Sequence, residues 1–216
     1  MAPRIRHEIE IKLRVNDLAA MRRRLRAAGA QRLHRVHEWN TLFDTPRQSL
    51  RKKGHLVRMR LERRLGSRNA SPRWLLTYKG PGLGHKSASS AGLLAGAQSG
   101  ARHHYKVREE VETILLDPVT LTRIFSAMGL TPSFRYEKYR TTYRLPRLQR
   151  LLVELDETPI GVFLELEGSP RSIDRASRLL GFTPADYLIS SYAALYFDFC
   201  RRRGIVPDDM LFQRQK

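Results

Sequence analysis

The chain has 216 residues, 41% of them hydrophobic, which is enough for one sizeable core. Its 40 Lys and Arg against 21 Asp and Glu give a formal charge of +19, which calls for an anionic partner, a solvated basic surface, or both. No apolar run approaches the roughly 20 residues of a membrane helix, no apolar stretch after Met1 suggests a leader, and the single Cys200 excludes an intramolecular disulfide, so the expected setting is cytoplasmic, without a membrane partner.

Residues 5–15 alternate strictly, with Ile9, Ile11 and Leu13 on one face and Glu8, Glu10 and Lys12 on the other, the period-two signature of a strand. Asn16 or Asp17 then caps a helix carrying Leu18, Met21 and Leu25, which ends at Gly29. A second strand runs from Gln31 to Phe43 and is broken by Asp44-Thr45-Pro46. After Gly54, a third strand sets Arg58, Arg60 and Glu62 against Val57, Met59 and Leu61. Residues 73–79 form a fourth, stopped by Gly80-Pro81-Gly82, and the Gly/Ala/Ser-rich stretch 81–104 predicts a flexible loop. A fifth strand, Tyr105 to Thr113, groups Lys106, Arg108, Glu110 and Glu112 on one face. Asp117-Pro118 opens a helix closed by Gly129. Strands six to eight cover about Ser133–Arg144, 150–157 and 161–168. They are followed by a helix from Ser169-Pro170 to Gly181 and by a last one read from Pro184 through Phe199, which either caps the fold or forms a dimer contact.

Eight mostly antiparallel strands, each with one charged face, predict an α+β fold: a closed eight-stranded antiparallel barrel with a charged interior and helices packed outside. The expected domain spans 1–204, followed by a C-terminal tail at 205–216.

The chemistry lies in one repeated oddity. Several strands carry paired carboxylates or paired bases at i, i+2: Glu8/Glu10, Arg58/Arg60, Glu110/Glu112, Lys138/Arg140, Glu154/Asp156 and Glu165/Glu167. That spacing puts both members on one face, about 7 Å apart. A single such pair is usually a solvated face; the whole set on cleanly alternating strands is not. Converging carboxylates suit Mg²⁺ or Mn²⁺, and converging Arg and Lys suit a phosphate chain.

Taken in order, Glu8-Ile9-Glu10-Ile11-Lys12, Phe43-Asp44-Thr45-Pro46, Arg58-Met59-Arg60, Thr77-Tyr78-Lys79-Gly80, Arg108-Glu109-Glu110-Val111-Glu112, Lys138-Tyr139-Arg140, Glu154-Leu155-Asp156 with Gly161, and Glu165-Leu166-Glu167 resemble the signature of the CYTH domain, the triphosphate tunnel metalloenzymes. The match covers about residues 5–200. The resemblance implies an eight-stranded tunnel that takes one triphosphate-bearing small molecule with a divalent metal. Lys12, Arg58, Arg60, Lys79, Arg108, Lys138 and Arg140 would hold phosphates, with Lys12 and Lys79 also catalytic. Glu8, Glu10, Glu165 and Glu167 would hold metal, with Glu110, Glu112 and Asp156 beside them. The thiamine triphosphatases of this family place a tryptophan two residues before the first arginine of R-x-R; Leu56 stands there in this chain, which speaks against a thiamine substrate.

Three activities compete. A hydrolase would attack the terminal phosphoryl of tripolyphosphate or a nucleoside triphosphate such as ATP, and it is favoured because no residue set builds a ribose pocket. A class IV adenylyl cyclase would make cyclic AMP from ATP in the same tunnel. A module that binds polyphosphate or nucleic acid would need only the basic charge. The chain would act as a monomer or a homodimer.

Overall fold

The computed structural model describes residues 6–67, 70–82 and 104–213. Most of the stretch read as a flexible loop lies outside the described residues. The strands are β1 (Arg6–Val15), β2 (Gln31–Asp44), β3 (Leu56–Arg64), β4 (Arg73–Lys79), β5 (Lys106–Leu115), β6 (Thr131–Arg144), β7 (Leu152–Thr158) and β8 (Gly161–Glu167). They close into one barrel in the order β1-β5-β4-β3-β2-β6-β7-β8, with every neighbouring pair antiparallel. The helices are α1 (Leu18–Ala27), α2 (Ser49–Lys52), α3 (Pro118–Ala127), α4 (Pro170–Leu179) and α5 (Tyr192–Arg203). The α+β tunnel expected from the alternation is therefore the fold.

Alternation decides which way each strand faces. Ile11, Leu13, Val153, Leu155, Leu164 and Leu166 point outward and are buried under Met21 and Leu25 of α1 and under Ile173 and Ala176 of α4. Fully burying such a side chain stabilises the fold by about 1.5–3 kcal/mol. On the opposite wall, Phe43 and Met59 pack on Phe125 of α3. Side-chain caps fix where these helices begin: Asp17 accepts from the Ala20 N–H, Asp117 from Val119 and Thr120, and Ser169 from Ser172.

The break after β2 has a local cause. The Asp44 carboxylate accepts the N–H groups of Thr45, Leu50 and Arg51 at 2.7–2.9 Å, which turns the chain into α2, a helix that periodicity did not reveal. Gly54, at φ 79°, then reverses direction, and its carbonyl accepts from Arg108 at 2.6 Å.

The C-terminal region departs from the expected single helix. Pro184–Asp186 is a short 3-10 turn, the next residues are extended, and α5 begins only after Ser191, whose hydroxyl caps Ala194. Strand pairing explains the interruption. β1 pairs with β5 only as far as Glu10, so the edge of β1 beyond it is open. Leu188 fills that edge with two 2.8 Å hydrogen bonds to the Lys12 backbone. The pairing of β6 with β7 likewise starts only at Tyr139, and Met210 bonds along the uncovered stretch, to the Arg135 carbonyl and the Glu137 N–H. Backbone groups left unpaired would cost more than the helical turn that is lost. α5 then packs against the barrel, with Tyr192 set among Phe134, Tyr136 and Phe163 and lining the cavity inside it.

Candidate functional site

A cavity of about 420 Å³ runs inside the barrel. It is lined by Glu8, Glu10, Lys12, Arg58, Arg60, Lys79, Arg108, Glu110, Glu112, Lys138, Arg140, Glu165 and Glu167, the residues that alternation had placed on the charged faces. Asp156 is the exception. It is fully buried behind the wall, accepting from Lys138 at 2.8 Å, from two nitrogens of Arg140 at 2.7 and 2.6 Å, and from the Tyr192 hydroxyl at 2.7 Å. Its neighbour Glu154 lines the cavity in its place.

The cavity also draws on Lys106, Tyr136, Ser191 and Tyr192. Lys106 shares the face of Arg108, which was the signal available for it. Tyr192 arrives on a helix after a turn, so strand spacing could not find it. Its ring stands 5.3 Å from the Lys12 ammonium and 4.8 Å from that of Lys138. On the same inner face, but outside the cavity lining, lie Glu38 and Asn40 of β2 and Thr77 of β4, all buried and not singled out by pattern.

Register explains the charge arrangement. Directly across neighbouring strands stand Lys12 and Glu165, Glu8 and Arg108, Glu10 and Lys106, Lys79 and Glu110, and Arg140 and Asp156. The ion pairs follow. Lys12 Nζ lies 3.1 Å from Glu10 and 3.2 Å from Glu165, and Lys79 Nζ lies 2.5 Å from Glu8 and 3.4 Å from Glu110. Arg58 donates to Thr77 at 3.1 Å and lies 3.6 Å from Glu112. Arg140 also reaches Glu165 and Glu154.

Three cross-strand positions oppose carboxylates: Glu10 faces Glu167, Glu154 faces Glu165, and Glu38 faces Glu62. Opposed carboxylates destabilise a sheet unless a cation or a proton lies between them. The consequence shows in their acidity. Burial, reinforced by Glu10, pushes the Glu8 carboxyl up to about 7 against the pull of Lys79. Burial and the neighbouring Glu165 and Asp156 push Glu154 up to about 8 despite Arg140. Glu10 and Glu165 are equally desolvated but are held below the usual carboxylate range, Glu10 by Lys106 and Lys12, Glu165 by Lys12 and Arg140.

This predicts an unusual pH response. Glu8 and Glu154 keep their protons in the folded state while the unfolded chain ionises near 4.5, so their contribution to stability is lost as pH rises from about 4.5 to about 8. Glu10 and Glu165 act oppositely and lose their contribution as pH falls below the ordinary carboxylate value. The metal-free protein should be most stable near about pH 5. Thermal unfolding in EDTA from pH 4 to 9 should show Tm falling on the alkaline side, and saturating Mg²⁺ should flatten that limb. A Tm that rises steadily to pH 8 in EDTA would contradict this electrostatic picture.

The donor set fits a hard divalent cation. Among the described residues no three carboxylate, His or Cys groups converge into a ready-made cage. Mg²⁺, however, characteristically takes one or two carboxylates and completes its shell with water and substrate phosphates.

The model of the CYTH domain family matches residues 6–179. The chain belongs to that family. Solved structures share the CYTH fold at low identity. A candidate adenylate cyclase from Vibrio parahaemolyticus is 16% identical, with a TM-score of 0.66 over 88% of this chain and 97% of the other. A protein from Pyrococcus horikoshii is 20% identical, with a TM-score of 0.66 over 89% and 99%. A candidate adenylyl cyclase from Hippeastrum, described as having a dominant triphosphatase activity, is 20% identical, with a TM-score of 0.53 over 93% and 97%. No curated protein matches the chain. Among the described residues, no helix of this CYTH chain is long and apolar enough to cross a membrane.

Proposed function

We propose that this CYTH protein is a Mg²⁺- or Mn²⁺-dependent triphosphatase acting on tripolyphosphate or a nucleoside triphosphate. The observation that carries the reading is one cavity lined both by the cations Lys12, Arg58, Arg60, Lys79, Arg108, Lys138 and Arg140 and by the carboxylates Glu8, Glu10, Glu110, Glu112, Glu165 and Glu167. The cations neutralise the phosphate chain and orient it, with Lys12 and Lys79 placed to meet charge that develops at the attacked phosphorus. Tyr192 of α5 lines the same cavity. Glu8, Glu10, Glu165 and Glu167 would hold the metal, with Glu110 and Glu112 beside them. When bound, the metal supplies Lewis-acid polarisation of phosphoryl oxygens. Asp156 orients Lys138 and Arg140.

A class IV adenylyl cyclase is the second reading, favoured by one specific observation. A second cavity of about 350 Å³ adjoins the tunnel at Leu56, Lys106, Arg108 and Ser191, and it carries Leu42, Phe134, Ile189 and Phe197, which suit the organic part of a nucleotide.

A panel of tripolyphosphate, ATP and thiamine triphosphate with Mg²⁺, Mn²⁺ or EDTA separates the readings. Orthophosphate that appears only with metal is the expected result. Cyclic AMP formed faster than orthophosphate would give the cyclase. Binding that survives EDTA without any product would leave only a polyanion-binding module.

A further inference from the structure

Glu38 stands on β2, across the barrel from β1, and is wholly cut off from solvent. It lies on the inner face of the barrel beneath the cations that line the cavity, with its oxygens 3.3 Å from Arg60, 3.6 Å from Lys138 and 3.7 Å from Arg140. None of these contacts is a hydrogen bond, and among the described residues neither oxygen has one elsewhere. The three cations are bonded to other groups: Arg60 to Asn40, Lys138 to Asp156, and Arg140 to Asp156 and Glu165. Glu38 also sits directly opposite Glu62. Burial would raise its carboxyl, but Arg60, Lys138 and Arg140 hold it below the usual range, so it is ionised.

Three cations hold this carboxylate ionised, so its charge contributes to the fold, and removing one partner of a buried ion network costs stability. Its charge has a second consequence. It subtracts from the pull that Arg60, Lys138 and Arg140 exert on an anion in the cavity. A tunnel walled by unopposed cations would bind substrate and cleaved phosphate alike, and ground-state affinity of that kind adds nothing to turnover once the site is full. Slow product release would then limit the cycle.

We propose that Glu38 is a positioning residue that restrains the tunnel's affinity for polyphosphate so that cleaved phosphate can leave, an inference that rests on the triphosphatase reading above. Three chains test it: wild type, Glu38→Gln, which keeps the shape without the charge, and Asn40→Asp, which adds a carboxylate beside Arg60 on the same wall. Titration calorimetry with tripolyphosphate and with pyrophosphate in EDTA reads affinity without turnover. Steady-state kinetics with Mg²⁺ and thermal unfolding accompany it. Glu38→Gln should bind both anions about tenfold more tightly, the direction and scale of one buried charge. KM and kcat should fall together, with a first-turnover burst, and thermal unfolding shows whether the variant is folded at the assay temperature. Asn40→Asp should bind about tenfold more weakly. Equal or weaker binding by a folded Glu38→Gln, or unchanged binding by Asn40→Asp should Glu38→Gln fail to fold, would overturn this inference alone. Failure of the wild type to bind tripolyphosphate would overturn the triphosphatase reading, and this inference with it.

Discussion

Arg140→Met should destabilise the metal-free protein by about 3–5 kcal/mol, the scale seen when one partner of a buried ion network is removed. The Arg140 guanidinium grips Asp156 through two nitrogens, bonds Glu165 at 2.5 Å, and reaches Glu154 and Glu38. A methionine fills similar volume but leaves these carboxylates facing one another without a counter-charge. Urea unfolding at pH 7.5 in EDTA measures the loss. Part of it should return at pH 5, because carboxyls such as Glu165, which Arg140 helps to hold ionised, take up protons more readily once that cation is gone. A full loss that persists at pH 5 would show that packing, not charge, was removed. The exposed Arg201, paired with Asp198 on α5, supplies the control, and its replacement should leave the unfolding midpoint unchanged.

The second large effect falls on turnover. Changing both Glu10 and Glu167 to Gln should lower metal-dependent phosphate release by about 10²–10³-fold or more, as when charge-stabilising groups are removed from other active sites. These two carboxylates face each other across β1 and β8, where their opposition invites a cation. Tripolyphosphate binding in EDTA should survive the double change or tighten, because Lys12 and Lys106 lose a competitor for phosphate. Release that stays within tenfold of wild type would exclude both residues from the metal site. Binding that disappears together with turnover would assign them to the fold.

Much of the barrel was legible because a charged interior inverts the usual pattern. In β1, β3, β5 and β8 paired charges at i, i+2 alternate with apolar residues such as Ile9 and Ile11, Val57 and Met59, Val107 and Val111, and Leu164 and Leu166, so period two stood out. β2 hid its contribution. Its inner face mixes His34, Val36, Glu38, Asn40 and Leu42, and its outer face carries Arg35, His37 and Trp39, so neither face reads as core or site. His37 lies on that outer wall, stacked on Tyr139 and bonded to Glu137 at 2.8 Å, and so has no place in the tunnel. Glu154 and Asp156 are equivalent by spacing. What separates them is Tyr192, which covers Asp156 from a helix 36 residues further along the chain. The turn before α5 was illegible for a related reason. The apolar residues from Tyr187 to Phe199 read as one helix across Ser190 and Ser191, and the open edge of β1 draws Leu188 out of it.

The closure of the barrel also bears on how the chain reaches its native state. β1, the first strand among the described residues, takes its neighbours from residues 106–110 and 162–167. The ring therefore cannot close until nearly the whole domain has left the ribosome. Contacts so distant in sequence put folding in the range of about milliseconds to seconds, slow beside helical proteins of similar size. For that interval β1 presents an unpaired edge and a row of Ile and Leu side chains, a species prone to aggregate. The same ring, once shut, has no loose end at β1 from which to unzip.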